Sequence, residues 1–136
     1  MKQKTVKLAA IFGILAVLLG AFGAHGLSML LEEKQMETFK TGVLYHFIHT
    51  LVILVVGLLN QSKNRNTKFA VILFSLGIIC FSGSLYLLSC RNILGIEGWT
   101  FLGPMTPIGG LLFVLGWASL FFFSTKDDPT NQTKTT

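Results

Sequence analysis

Residues 8–27 read LAAIFGILAVLLGAFGAHGL, twenty positions in which His25 is the one side chain able to carry charge. A helix of that length rises about 30 Å, the thickness of a bilayer's hydrocarbon. Lys2, Lys4 and Lys7 precede it, as basic residues precede a secretory signal peptide, and small residues from Ala21 to Ala24 would suit cleavage. Three more apolar runs follow, so even a processed chain would stay in a membrane, and the run is read as a retained span. Ala16, Gly20 and Ala24 recur every fourth residue, with Gly23 beside them, a small-residue stripe that lets a neighbouring helix approach closely in lipid. His25 stands at the margin of this span. An ionisable group there is a candidate functional residue, because solvating it in lipid costs free energy that anchoring does not require.

The rest of the chain repeats the pattern. Hydrophobic residues make up 51% of the 136 and charged residues only 12%, about half the share of a soluble domain. The charges lie in blocks between apolar runs, as hydrocarbon-embedded segments require. The formal net charge of +5 therefore belongs to connections. No basic patch interleaved with aromatics occurs, so a nucleic-acid partner is not expected.

Spans are predicted at residues 8–27, 43–59, 69–89 and 106–124, with a disordered polar tail over 125–136. Between the first two, residues 28–42 mix Glu32, Glu33, Lys34, Glu37 and Lys40 with Met29, Met36 and Phe39. That is a short amphipathic segment, suited to the interface or to a solvated connector. Thr106 followed by Pro107 suits a helix start, as cap and first helical residue. Cys80 and Cys90, ten residues apart on one predicted helix, are about 15 Å apart and cannot pair with each other.

Orientation follows from cationic residues in the connections. Lys2, Lys4 and Lys7, with Lys63, Arg65 and Lys68, lie on one side; Lys34, Lys40 and Arg91 lie on the other. The excess predicts that both termini are cytoplasmic. His25, Tyr45, His46, His49, Ser82, Ser84, Tyr86 and Arg91 then form a candidate polar cluster toward the outer face. Tyr45, His46 and His49 share one side of a helix by their spacing. Helix packing is expected at Ala16, Gly20, Gly23, Ala24, Gly83, Gly109, Gly110 and Gly116.

Four motifs, Gly-Ala-Phe-Gly-Ala-His-Gly-Leu at 20–27, Tyr-His-Phe-Ile-His at 45–49, Phe-Ser-Gly-Ser-Leu-Tyr-Leu-Leu at 81–88 and Thr-Pro-Ile-Gly-Gly at 106–110, resemble in order those of a bacterial membrane protein family. This is the family known as domain of unknown function 423, related to a group of eukaryotic transmembrane proteins. The resemblance covers nearly all of residues 8–123. It implies an all-α, four-helix integral membrane protein of the bacterial cytoplasmic membrane, and no established activity. Its motif residues fall on His25, Tyr45, His46, His49, Ser82, Ser84, Tyr86, Thr106 and Pro107.

Several roles for the cluster compete. Hydrogen bonds between helices would make the protein a structural or interaction component, with lipid, further copies of itself or other membrane proteins as partners. Histidine also moves protons, which makes an oligomeric transporter or proton relay the alternative. A metal or haem site would need His25 to meet His46 or His49 in a helical hairpin. No carboxylate sits inside a span, and no cofactor or metal site is assigned. An enzyme is not expected, since no nucleophile adjoins a base and no carboxylate pair has useful spacing.

Overall fold

The computed structural model describes residues 2–59 and 65–124. The predicted disordered tail at 125–136, and Lys63 in the second connection, lie outside the described residues. Helix α1 (Lys2–Phe22) runs into a π-helical turn at Gly23–Leu27; α2 spans Glu33–Leu59, α3 Arg65–Gly77, a second π-helical turn Ile78–Ser82, α4 Gly83–Leu94 and α5 Leu102–Ser124. Helix α3, its π turn and α4 form one continuous third rod. Four stretches are long and apolar enough to cross a membrane: Gln3–Leu27, Glu33–Leu59, Thr67–Leu94 and Leu102–Phe122. Among the described residues there is no strand.

Helices extend beyond the predicted spans wherever no breaker intervenes. The amphipathic segment is not a separate element: from Glu33 onward it forms the first turns of α2. Its start is capped by the Gln35 side-chain carbonyl, which accepts the Glu32 backbone N–H at 3.0 Å, half of a capping box. No glycine or proline lies between Glu33 and Lys40, so the helix is not interrupted before the hydrophobic run. Helix α4 ends at Gly95, whose φ of +66° is the left-handed conformation glycine adopts without strain. The Ile96 N–H then reaches back to the Arg91 carbonyl at 3.0 Å.

Thr106 does not cap α5, which starts at Leu102. Pro104 falls among the first residues, where N–H groups need no intrahelical partner, and Pro107 removes only one later bond.

Helix α1 packs chiefly along α2, and α5 chiefly along the third rod, which α2 also contacts. Glycines decide how closely the rods approach. A Cβ added at Gly20 would lie 3.4 Å from Val43, one at Gly23 2.6 Å from the Phe39 ring, and one at Gly57 2.9 Å from Thr5. The α1–α2 hairpin is thus antiparallel along a seam that includes the buried Ala9, Phe12, Ala16 and Leu27. The α3–α5 seam interlocks phenylalanine with glycine: Phe113 lies on Gly77, Phe74 on Gly116 and Phe81 on Gly109.

The small residues expected at interfaces divide accordingly. Ala16, Gly20, Gly23, Gly109 and Gly116 lie in tight seams, and Gly110 makes ordinary contact with Phe81 at 3.8 Å. Ala24 is exposed, because the α1 seam advances by a mixture of three- and four-residue steps, and a three-residue step carries it from Gly20 to Gly23. Gly83 has nothing within 4 Å of an added Cβ.

Candidate histidine–aromatic core

The apolar part of α2 runs from Thr41 to Leu59 without a charged residue, about 28 Å at 1.5 Å per residue and close to one hydrocarbon thickness. Along α2, His46 lies about 9 Å and His49 about 14 Å beyond Lys40. The two imidazoles expected beside one face are well inside the bundle, 3% and 4% exposed.

His49 has both ring nitrogens engaged. Its Nδ1 lies 2.8 Å from the Tyr45 carbonyl, which can only accept, so Nδ1 carries the proton. Its Nε2 accepts the Trp117 indole N–H at 3.3 Å. The two partners hold one neutral tautomer. Phe113 stacks on the ring face at 3.6 Å with 4° between planes, and Phe74 tilts against it at 5.6 Å. Helices α2, α3 and α5 all meet at this imidazole.

His46 joins α2 to α4 and α1. Its Nδ1 shares a hydrogen bond with the Tyr86 hydroxyl at 3.1 Å, and Phe12 meets it edge-on at 5.8 Å between ring centres. Tyr86 can stand so near because Gly42 is beneath it: a Cβ there would come within 3.0 Å of the Tyr86 ring. Tyr45 lies over Phe81 at 4.7 Å and keeps its ring partly exposed. Ser84 bonds to Thr106 at 2.8 Å and donates to the Phe81 carbonyl at 2.9 Å, tying the third rod to α5. Two buried polar atoms have no hydrogen-bond partner among the described residues: His46 Nε2 and Ser82 Oγ.

His25 and Arg91 stand apart from this core. His25 is exposed in the first π turn. Because Gly23 faces Phe39, His25 is level with residues 37–38, and His46 lies about 12 Å further along α2. The antiparallel hairpin thus keeps His25 away from His46 and His49. Arg91 is exposed and lines a polar groove with Glu32, Lys34, Gln35 and Asn92. Among the described residues no three His, Cys, Asp or Glu side chains gather as metal ligands would.

Phe12, Phe74, Phe113 and Trp117 complete the core and are not singled out by the sequence reading. The available signal is spacing: Phe113 and Trp117 are four apart on α5, and Phe74 and Phe81 seven apart on the third rod, each pair on one helical face.

Four lipid-length helices, with polar side chains bonded to one another inside and large apolar side chains outside, define a multi-pass membrane protein. The chain belongs to the family described as "Protein of unknown function (DUF423)", whose profile matches residues 19–110. It is similar to the UPF0382 membrane protein of Haemophilus influenzae, 40% identical over 93% of this chain and 97% of the relative. It is similar also to the UPF0382 membrane protein YwdK of Bacillus subtilis, 40% identical over 88% of this chain and 94% of that one. The UPF0382 inner membrane protein YgdD of Escherichia coli is 39% identical over 81% of this chain and 80% of its own length. No solved structure matches the chain.

Proposed function

We propose that this protein is a non-enzymatic structural or interaction component of the bacterial cytoplasmic membrane, with both termini in the cytoplasm. The observation that carries the reading is His49. Its two nitrogens are engaged by Tyr45 and Trp117 and its face by Phe113. That leaves no lone pair for a ligand and no open side for a substrate. Such an imidazole fixes how α2, α3 and α5 are rotated against one another. Hydrogen bonds of this kind are worth about 0.6 kcal/mol on average in membranes, but they define register where apolar packing does not.

The cytoplasmic placement of the termini rests on the cation count, and the inner-membrane name of the Escherichia coli relative agrees with the compartment. The test compares His49→Ala with His25→Ala in detergent. The first loses a stacked ring and an indole hydrogen bond and falls by about 2–4 kcal/mol, whereas the second, at an exposed position, stays within about 0.5 kcal/mol of native. Equal stability of the two variants would remove the assignment of His49 to helix packing.

Proton relay is supported by a separate observation, the unpartnered Nε2 of buried His46. A relay would put His46 and Tyr86 on the path. Proteoliposomes bearing the native protein would then dissipate a pH gradient faster than those bearing His46→Ala. Equal rates for the two, at the empty-liposome level, dispose of that reading.

A further inference from the structure

Between α1 and α2, on the side turned away from the third rod, lies a half-open groove of about 340 Å³. Its walls are Gly20 of α1, Gly23 and Ala24 of the π turn that continues it, and Phe39, Val43 and Phe47 of α2. Because two wall positions are glycines, the helix backbones themselves form part of its floor, and the exposed Leu44 and Phe47 flank its mouth toward lipid. One charged side chain, Lys40, lines it. Lys40 is exposed and makes no hydrogen bond or ion pair among the described residues. It is also the last charged residue of α2 before the uncharged run from Thr41 to Leu59, which puts it where hydrocarbon gives way to headgroups.

We propose that this groove binds one acyl chain of an anionic glycerophospholipid, with the lipid's phosphate at Lys40. Three features fit that occupant. From Lys40 to Phe47 the groove runs about 10 Å along α2, within the hydrocarbon depth of a single leaflet, about 15 Å. A lipid occupies one leaflet, whereas a helix from a second copy would need a complementary surface along the whole span. The cation stands one turn from the groove's Met36 end, with the apolar Val43, Leu44 and Phe47 beyond it, so charge and hydrocarbon follow one another as in a phospholipid. No acidic side chain is among the lining residues, so within the groove a net negative headgroup meets only the Lys40 charge. The proposal stands independently of the role assigned to the histidines.

The test uses the full chain in a mild non-ionic detergent, supplied with phosphatidylglycerol or with phosphatidylcholine carrying the same acyl chains. Native mass spectrometry reads bound lipid and the mass of the protein particle together. The expected result is one phosphatidylglycerol retained per chain, in preference to phosphatidylcholine. Lys40→Gln lowers that retention about fivefold, the worth of one lysine facing an anionic headgroup. Lys34→Gln, a lysine at the same end of α2 but outside the groove, leaves it unchanged. Ala24→Leu fills the groove from an exposed position and displaces the lipid.

Circular dichroism checks that this last variant is helical. If it is not, the comparison of Lys40→Gln with Lys34→Gln decides alone. Equal retention of the two lipids, or equal effects of the two lysine substitutions, overturns the proposal. So does a particle of two chains without lipid that Ala24→Leu converts to one chain, which would assign the groove to a second copy.

Discussion

Gly109 and Gly110 are neighbours in sequence with opposite tolerance for a methyl group, and the difference tests whether α5 packs as described. A Cβ at Gly109 would lie 2.4 Å from the Phe81 backbone nitrogen and 2.7 Å from its Cα. Ordinary contacts begin near 3.4 Å, so the overlap is about 1 Å against a main chain that cannot rotate out of the way. Relief requires α5 to move off the third rod, which also loosens Phe113 on His49 and Ser84 on Thr106. Overpacking of this kind costs about 1–3 kcal/mol, and the upper end applies where backbone is the obstacle. Replacing a helical glycine by alanine returns about 1 kcal/mol, so Gly109→Ala is destabilised by about 2 kcal/mol.

At Gly110 the nearest atom to an added Cβ is 3.8 Å away, so Gly110→Ala has no overlap to relieve and gains about 1 kcal/mol. The two variants therefore differ by about 3 kcal/mol. Reversible unfolding in mixed detergent micelles, followed by the far-ultraviolet helical signal, measures that difference. Two variants within about 1 kcal/mol of each other, or a Gly109→Ala protein more stable than native, would refute the α5 register and the glycine–phenylalanine seam with it.

Two further outcomes follow from the same geometry. Tyr86→Phe removes the hydroxyl bonded to His46 Nδ1 and leaves that nitrogen without its partner in the interior, so the same unfolding assay reads a loss of about 1–2 kcal/mol. For topology, single cysteines at Lys4 and at Met29, which is 90% exposed in the first connection, are introduced after replacing Cys80 and Cys90 by alanine. A membrane-impermeant maleimide added to intact cells is expected to label the Met29 site and spare the Lys4 site; labelling in the reverse pattern inverts the proposed orientation.

The four helical rods follow from local facts. A run of about twenty apolar residues in lipid must satisfy its own backbone hydrogen bonds, and a helix does so whatever its neighbours are. Hydropathy and the spacing of charges thus carry the number of rods and their approximate limits. Helix starts are less legible. Pro107 reads as a first helical residue, yet in the structure the chain is already helical from Leu102, because two prolines within two turns remove few bonds.

Which side chains meet is another matter, since that depends on antiparallel register and on rotation about each axis. His25 reads as a partner for His46 and His49 because all three flank the same connection, but the hairpin seats Gly23 on Phe39 and leaves His25 exposed beside the first turns of α2. His49 reads as a polar residue near one face; the fold buries it inside the bundle, where Trp117 and Phe113 of α5 close over it from 68 and 64 positions along the chain. The sequence by itself determined a membrane protein of helical rods, because solvating a peptide group in hydrocarbon is a cost each segment meets alone. Only the tertiary structure decided that its buried imidazoles are held by aromatic neighbours, because an imidazole's partners are chosen by contacts between helices, and those contacts are set by where glycine lets one backbone lie against the next.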